Sequence, residues 1–332
     1  MKRLAVLGAG SWGTALAIAL APRFEEIRLW ARDPAKAREM ATMRENRIYL
    51  PGFRLPDGIR VSHELADSLA GADVILSVVP SRHLRSVLAL AAPYISNKTP
   101  VVSATKGIEE ETLYRMSEVV AESLGGSGHS PIAVLSGPTF AAEIAAGEPA
   151  AVVIASADAA LAGQVQQAFA TPALRFYSSR DVTGVEIGAA LKNVIAIGAG
   201  ICHGLGLGSN SVAALVTRGL AEITRLALVM NASPGTLSGL AGLGDLVLTA
   251  TGNLSRNRSV GIRLGQGQQL PQILAATTMV AEGVSTCRAA HRLGRKHGVD
   301  LPIIQRMYEV LYEGKDPRMA IKQLMERPLT SE

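Results

Sequence analysis

Cysteine and aromatic residues are scarce in this chain of 332 residues, which has two cysteines and only 4% Phe, Trp and Tyr. Cys202 and Cys287 are too few for a disulfide scaffold or a cysteine-based zinc site, and they indicate a reducing compartment. The 48% of hydrophobic residues must therefore build a core mainly from Ala, Val, Leu and Ile, alongside 33 glycines. A core of this size excludes general disorder, and the length fits two domains.

Charge is also sparse, because Asp, Glu, Lys and Arg together make up 18% of the chain. The 33 basic and 28 acidic residues give a formal net charge of +5. Basic residues do not cluster beyond pairs such as Arg295-Lys296, so we expect no nucleic-acid partner. The small positive excess suits anionic small molecules.

Several sequence signals are missing. The N-terminus has no apolar segment ending in a small-residue cleavage site, and we expect a cytoplasmic protein. The longest stretch without a charge, residues 193–217, is interrupted by polar residues and glycines, so no membrane span is predicted. The chain has no G-x-S-x-G, G-x-x-x-x-G-K-[ST] or H-E-x-x-H motif, and its six histidines are scattered, so we expect no metal site.

Short apolar runs alternate with helical patterns in the first half of the chain. These runs are apolar throughout rather than at every second residue, which is typical of strands buried on both faces of a parallel sheet. After about Arg180 only helical patterns continue. The sequence therefore predicts an α/β N-terminal doubly wound (Rossmann-type) domain over residues 1–180 and an all-α C-terminal domain over residues 181–332. The predicted strands are Leu4–Leu7, Ile27–Trp30, Val74–Val79, Val101–Ser103, Ile132–Leu135, Ala151–Ala155 and Leu174–Tyr177. The predicted helices include Pro34–Met43, His83–Leu90, Glu110–Ser123, Asp158–Phe169, Val182–Ile201, Ser211–Met230, Ser255–Leu264, Thr286–Lys296, Ile303–Tyr312 and Pro317–Met325.

A glycine motif, Gly8-Ala9-Gly10-Ser11-Trp12-Gly13, lies between the first predicted strand and the helical run that follows it. In this context Gly8 permits a tight turn, Gly10 lets a pyrophosphate approach the backbone, and Gly13 lets helix and strand pack closely. The start of the helix presents free N–H groups to the phosphates. The motif predicts a dinucleotide site, and the alternative is an ordinary glycine-rich turn.

The end of the second predicted strand bears on the choice of dinucleotide. Sites specific for NAD place a carboxylate there to bind the ribose 2′-hydroxyl, whereas an arginine accommodates the 2′-phosphate of NADP. Arg32 occupies this position, and Asp33 one residue later is suited to cap the next helix. We therefore expect NADPH, with NADH as the alternative, unless Arg32 is only a solvated surface residue.

Lys192 lies in a long apolar helical stretch that contains Gly184, Gly188, Gly198 and Gly200. Glycine destabilises a helix interior by about 1 kcal/mol relative to Ala, so these positions indicate close approach of another backbone. A lysine in such a stretch either pairs with a carboxylate and takes part in proton transfer, or extends its amine to water.

Three further segments carry polar residues near glycines or predicted helix starts. Lys106 follows a predicted strand at the end where ligands bind in such sheets. Asp245 follows Gly242-Leu243-Gly244, where it serves a ligand or caps a helix. Ser255-Arg256-Asn257 has the pattern of a capped helix start with a cation, which suits a phosphate, although a solvated helix face has the same pattern.

In combination these segments are similar to those of the bacterial NAD(P)-dependent glycerol-3-phosphate dehydrogenase family, from Gly8 to about Leu324. The resemblance rests on the order and spacing of the glycine motif, Thr105-Lys106-Gly107, Ser136-Gly137-Pro138-Thr139-Phe140-Ala141-Ala142-Glu143, Ala190-Leu191-Lys192-Asn193, Leu243-Gly244-Asp245, Ser255-Arg256-Asn257 and Val280-Ala281-Glu282-Gly283.

The resemblance implies reversible reduction of dihydroxyacetone phosphate to sn-glycerol 3-phosphate for phospholipid synthesis, by a homodimer. It implies that Lys192 exchanges the proton at the reacting carbonyl oxygen. It assigns substrate contacts to Lys106, Gly137, Thr139, Lys192, Asp245, Ser255, Arg256 and Asn257. It assigns the cofactor to Gly8, Gly10, Ser11, Trp12, Gly13, Arg32, Lys106, Ala141, Arg256, Val280 and Glu282.

Two other functions remain open from the residues alone. A related two-domain reductase of another oxo-substrate, such as a β-hydroxyacid dehydrogenase, would share the glycine motif without needing a phosphate site at Arg256 and Asn257. A non-catalytic NADPH sensor would bind the cofactor but would give Lys106 and Lys192 no function.

Overall fold

The computed structural model describes residues 1–125, 130–276 and 281–329. The chain forms two compact units. The first comprises Met1–Lys106 and Tyr114–Glu186, and the second comprises Gly107–Leu113 and Ile187–Glu332. The domain boundary after residue 180 stays a prediction.

An eight-stranded sheet forms the centre of the first unit, with the strand order β10-β9-β8-β7-β6-β1-β2-β5. All seven predicted strands are present. Their apolar runs are largely buried, as expected, except in the edge strand β10, where Leu174 and Phe176 are buried and Arg175 and Tyr177 are exposed. The pattern missed the edge strand β5 and the small antiparallel pair β3–β4, which are short and partly polar. The strands are β1 Arg3–Leu7, β2 Glu26–Trp30, β3 Glu45–Asn46, β4 Leu50–Arg54, β5 Ile59–Ser62, β6 Val74–Ser77, β7 Val101–Ser103, β8 Ile132–Ser136, β9 Ala150–Ala155 and β10 Leu174–Ser179.

The predicted parallel sheet has one exception, because β8 and β9 pair antiparallel. The connection between them carries only one helix, Ala141–Ala145, of five residues. A helix of five residues spans about 8 Å, whereas a strand of equal length spans about 16 Å. The helix in this connection is therefore too short to return the chain to the starting end of β8. Strand β9 instead begins near the carboxyl end of β8 and runs antiparallel to it.

The helices of the first unit cover the sheet, and one of them begins later than the sequence pattern predicts. The helix predicted over Glu110–Ser123 starts at Met116, because Leu113 has a left-handed backbone with φ of 63°. The preceding segment Gly107–Leu113 belongs to the second unit, where Arg288 donates to the carboxylate of Glu110 at 3.1 Å. The helices are α1 Ser11–Leu20, α2 Pro34–Met43, α3 Leu65–Leu69, α4 Ser81–Ala91, α5 Met116–Ser123, α6 Ala141–Ala145 and α7 Ala159–Phe169.

In its described residues, the C-terminal region is helical, as predicted. The short elements after residue 233 were missed, since none is long enough to show a clear apolar period. A π-helical turn, Leu240–Gly244, leads directly into the helix that begins at Asp245. The helices are α8 Val182–Gly204, α9 Ser209–Val229, α10 Pro234–Ser238, α11 Asp245–Thr251, α12 Arg256–Gly265, α13 Leu270–Ala275, α14 Glu282–His297, α15 Pro302–Tyr312 and α16 Pro317–Met325.

Helix α8 is the central element of the helical core. Within the described residues it is the helix that is long and apolar enough to cross a membrane, but its apolar window is 100% buried inside the chain. A Cβ on Gly188 would lie 2.8 Å from the Ala241 backbone oxygen, and one on Gly200 would lie 2.1 Å from that of Arg258. The predicted close backbone approach is confirmed at both glycines. At Gly198 the neighbour is instead the side chain of Leu215, at 3.2 Å, and at Gly184 the approach stays a prediction.

Candidate active site

The glycine motif forms the turn between β1 and α1, as its sequence context predicts. Gly8 has φ of +113°, and a Cβ there would lie 2.8 Å from the Val78 backbone oxygen. A Cβ on Gly13 would lie 1.9 Å from the Gly8 oxygen, whereas one on Gly10 would meet nothing within 4 Å. The backbone therefore leaves no room for a side chain at Gly8 or Gly13, whereas the space beside Gly10 is open. It also leaves the first amides of α1 without a side-chain cap.

These features fit a dinucleotide. An open glycine beside uncapped helix amides is the arrangement that admits a pyrophosphate. Ser11 and Trp12 form the first turn of α1, and Ala141 is the first residue of α6. Within the first unit, the turn after β1 and the first turn of α1 thus bring together Gly8, Gly10, Ser11, Trp12 and Gly13.

The second strand ends as expected, with Arg32 exposed two residues beyond Trp30. The Asp33 carboxylate accepts hydrogen bonds from the backbone N–H groups of Ala35 at 2.8 Å and Lys36 at 3.2 Å. Its expected role as the cap of α2 is confirmed. These hydrogen bonds lower the pKa of Asp33 and hold its carboxylate ionised.

Polar residues also follow two neighbouring strands of the same sheet, with Lys106 after β7 and Thr139 after β8. The Lys106 amine lies 3.5 Å from the Gly137 backbone oxygen, and the Thr139 hydroxyl donates to that oxygen at 3.1 Å. A Cβ on Gly137 would lie 2.9 Å from the Val152 Cα atom, so only glycine fits. The structure therefore brings Lys106 together with Gly137 and Thr139, which follow it by more than thirty positions in the sequence.

In the second unit, the amine of Lys192 is buried, with 4% of the residue exposed. It forms an ion pair with the Asp245 carboxylate, which is fully buried, and donates to the Thr249 hydroxyl at 2.8 Å. The alternative of a lysine that reaches water is therefore wrong. A buried charge needs such partners, because removal of one partner from a buried pair costs about 3–5 kcal/mol.

The local sequence explains how Asp245 reaches Lys192. Because Gly188 has no side chain, the backbone at Ala241 can pack directly against α8. A Cβ on Gly188 would lie only 2.8 Å from the Ala241 backbone oxygen. The π-helical turn Leu240–Gly244 then directs Asp245 inward, one turn along α8 from Gly188. Asp245 is the first residue of α11 and not its cap, which excludes the capping alternative.

Ser255 caps α12 as predicted, since its hydroxyl accepts from the Arg258 N–H at 3.2 Å. Arg256 is exposed at the first position of that helix. Asn257 is buried and bonded on both sides: its Nδ2 donates to Asn193 Oδ1 at 2.9 Å, and its Oδ1 accepts from the Gly283 N–H at 3.0 Å.

These hydrogen bonds connect α12 to the residue next to Lys192 and to the first turn of α14, which begins at Glu282. The interpretation of Val280 as a cofactor residue lies outside the described residues. No group of three or more His, Cys, Asp or Glu able to hold a metal ion occurs within residues 1–125, 130–276 and 281–329.

Sequence reasoning missed one polar partner at this centre, Thr249. Asp245 and Thr249 are four residues apart and therefore share one face of α11. The spacing would have revealed Thr249 if a helix had been predicted after the glycine turn.

Comparison with known proteins decides the family. The sequence model described as NAD-dependent glycerol-3-phosphate dehydrogenase N-terminus matches residues 3–162, and the model for its C-terminus matches residues 181–322. This chain belongs to the NAD-dependent glycerol-3-phosphate dehydrogenase family. The resemblance inferred from the motifs is therefore confirmed.

Individual relatives match this chain over nearly its full length. A protein of Koribacter versatilis named glycerol-3-phosphate dehydrogenase, with NAD(P)+ as cofactor, is 52% identical over 334 residues, covering 100% of this chain and 99% of its own. A protein of the same name from Nitratidesulfovibrio vulgaris is 52% identical over 330 residues, with 99% and 100% covered. The crystal structure of glycerol-3-phosphate dehydrogenase from Coxiella burnetii is 40% identical, with a TM-score of 0.94, over 98% of this chain and 99% of that one.

Proposed function

We propose that this chain reduces dihydroxyacetone phosphate reversibly to sn-glycerol 3-phosphate with NADPH, or alternatively NADH, and supplies glycerophospholipid synthesis. Relatives at 52% identity carry the name of this enzyme. The observation that carries the proposal is the buried amine of Lys192, paired with Asp245 and hydrogen-bonded to Thr249. Carbonyl reduction requires a group that stabilises and protonates the carbonyl oxygen, and a buried, oriented ammonium can do both.

The bound nicotinamide supplies the hydride that goes to the carbonyl carbon. The Lys192 ammonium stabilises the negative charge that develops on the carbonyl oxygen and then gives that oxygen a proton. The product is a hydroxyl group, and the neutral amine regains its proton from water. Asp245 holds the ammonium in its charged form before the transfer, and a positioned general acid of this kind contributes about 10²–10⁴-fold to the rate.

The start of α12 is assigned to the substrate phosphate. Arg256 is exposed there and forms no ion pair with a carboxylate of the described residues. Helix amides with an arginine bind phosphate well, and binding energy from this remote group positions the reacting carbonyl. Lys106, Gly137, Thr139, Asp245, Ser255 and Asn257 complete the assigned substrate residues.

The cofactor is assigned to the glycine motif, with Gly8, Gly10, Ser11, Trp12 and Gly13, and to Arg32, Lys106, Ala141, Arg256, Val280 and Glu282. NADPH is favoured over NADH because Asp33, the acid that follows β2 in the chain, already caps α2. Arg32 is free of ion pairs with the described residues and suits a 2′-phosphate. A homodimer in the cytoplasm completes the proposal.

The test follows NADPH absorbance with dihydroxyacetone phosphate and, separately, with dihydroxyacetone. We expect turnover of the phosphorylated substrate only. Arg256→Gln should raise the KM for dihydroxyacetone phosphate at least about tenfold, since a hydrogen bond to a charged group contributes about 1.5–3 kcal/mol. Arg263→Gln is the matched control, because Arg263 lies on the same helix and bonds to Gln268 at 2.9 Å.

Two results would contradict the proposal. Equal turnover of phosphorylated and unphosphorylated carbonyls would indicate a reductase of another oxo-substrate. NADPH binding without turnover of dihydroxyacetone phosphate would indicate a cofactor sensor.

A further inference from the structure

Arg82 and His83 lie near Arg32 at the carboxyl edge of the first unit's sheet. Arg32 follows β2, and Arg82 and His83 form the first turn of α4, which follows β6. Strands β2 and β6 both run parallel to β1, one on each side of it. In both pairings the last residue of β1, Leu7, is in register with the last residue of its neighbour. The three side chains therefore start from the same edge.

The contact between Arg82 and His83 fixes the direction of the arginine. The Arg82 Nε–H group donates to Nε2 of His83 at 3.1 Å, so this imidazole nitrogen accepts and carries no proton. Partial burial lowers the pKa of His83, and the positive charges of Arg82 and Arg32 lower it further. The neutral imidazole that the hydrogen bond requires is thus the favoured form at neutral pH.

Neither arginine forms an ion pair with an acidic side chain in the described part of the chain. Arg85, one turn further along α4, forms an ion pair with Glu122 at 2.7 Å, whereas Arg82 and Arg32 form none with described residues. The nearby Asp33 carboxylate is engaged with the amides of α2. The ionised Asp33 carboxylate offsets part of the Arg32 charge, but its hydrogen bonds hold it at the start of α2. The remaining positive charge of Arg82 and Arg32 at one edge favours a bound dianion.

We propose that Arg82 is a second cation, beside Arg32, for the 2′-phosphate of NADPH, and that His83 is a positioning residue that orients the Arg82 guanidinium. The inference rests on the proposed function, because it presupposes a dinucleotide at the glycine motif. A 2′-phosphate carries close to two negative charges and can accept from two guanidinium groups at once. Selection of NADPH over NADH is therefore shared between β2 and α4.

The test measures equilibrium binding of NADPH and NADH to the full chain by nucleotide fluorescence, without substrate. In Arg82→Gln the Kd for NADPH should rise about tenfold, which is the effect of losing one charge-assisted hydrogen bond. The Kd for NADH should not change. Competition by adenosine 2′,5′-bisphosphate should weaken by the same factor, and competition by 5′-AMP should not. Arg85→Gln, on the same helix, is the control and should leave every value unchanged.

His83 is tested by a pair of substitutions. His83→Ala removes the acceptor for Arg82 and should weaken NADPH binding severalfold, with NADH binding unchanged. His83→Gln places an amide oxygen within reach of Arg82 and should restore most of the NADPH affinity. A role in folding alone would change both cofactors together.

Failure of the inference and failure of the proposed function give different results. If Arg82→Gln leaves NADPH binding unchanged, or weakens NADPH and NADH equally, the inference is wrong, even where Arg32→Gln removes the NADPH preference and the proposed function stands. If the wild-type chain binds neither dinucleotide, the proposed function itself is wrong.

Discussion

The hydroxyl oxygen of Thr249 lies 2.8 Å from the Lys192 amine and donates its own proton to the Asp245 backbone oxygen at 2.6 Å. A hydroxyl has a single proton to donate, so towards Lys192 it can only accept. One turn of α11 therefore supplies the ammonium with a carboxylate and a hydroxyl acceptor, both held in place by the same helix.

The first prediction concerns this acceptor. Thr249→Val keeps the shape of the side chain and removes the hydroxyl, so the ammonium loses one of its fixed acceptors. We expect kcat to fall about tenfold, the effect of one hydrogen bond to a charged group, with NADPH affinity unchanged. Thr249→Ser should retain most of the activity. Steady-state kinetics of the two variants measures this, and a wild-type kcat in Thr249→Val would exclude the role.

The second prediction concerns the buried ion pair. Asp245→Asn leaves the Lys192 ammonium buried without a counter-charge, so the free energy of unfolding should fall by about 3–5 kcal/mol. The double variant Lys192→Met with Asp245→Leu removes both charges and should recover most of that stability without activity. Urea denaturation compares the two. If the double variant is as unstable as Asp245→Asn, an uncompensated charge is not the cause.

The third prediction is a pH dependence of stability from Glu222, which is 1% exposed. Its carboxylate accepts from the N–H groups of Ile303 at 2.6 Å and Ile304 at 3.1 Å, at the start of α15. Burial outweighs these hydrogen bonds and raises the pKa of Glu222 from 4.5 to about 7.

An acid with a raised pKa binds its proton more tightly in the folded chain than in the unfolded chain. Its stabilising effect is complete below about pH 4.5 and is lost as the pH rises to about 7. Relative to Glu222→Gln, the wild type should lose about 3 kcal/mol over this interval. Urea midpoints measured across the interval test this, and parallel curves for the two proteins would contradict it.

The fourth prediction compares two helical glycines. Gly200→Ala would place a Cβ 2.1 Å from the Arg258 oxygen, so it should force α8 and α12 apart and cost about 1–3 kcal/mol. Gly163 lies in α7 with nothing within 4 Å of a Cβ, so Gly163→Ala should stabilise by about 0.5–1 kcal/mol through helix propensity. Thermal unfolding of both variants measures the contrast, and a neutral Gly200→Ala would contradict the packing account.

The sequence predicted those parts of the fold that long or repeated patterns specify. The buried strands, the glycine turn and helices such as Pro34–Met43 and Pro317–Met325 all carry apolar runs, capping residues or periods that act locally. The antiparallel pairing of β8 and β9 depends on the geometry of a connection, which no local pattern encodes. The elements from Pro234 to Thr251 are too short for a period to be recognised.

The candidate site was also predicted only in part from the sequence. Lys192 stood out because a lysine is costly in an apolar helix, and Ser255 because a cap precedes a basic helix. The partners of these residues could not be derived, since the ion pair with Asp245 depends on the packing of Ala241 against Gly188. Likewise, Asn257 contacts Asn193 and Gly283 only after three helices have assembled.

The central claim is that the Lys192 ammonium gives the proton to the reacting carbonyl oxygen. Its most direct test is Lys192→Ala, assayed for turnover of dihydroxyacetone phosphate and, in the same preparation, for NADPH binding by fluorescence. We predict a loss of turnover of about 10²–10⁴-fold, the contribution of a positioned general acid, with NADPH affinity unchanged. Turnover close to that of the wild type, with NADPH bound normally, would contradict the account.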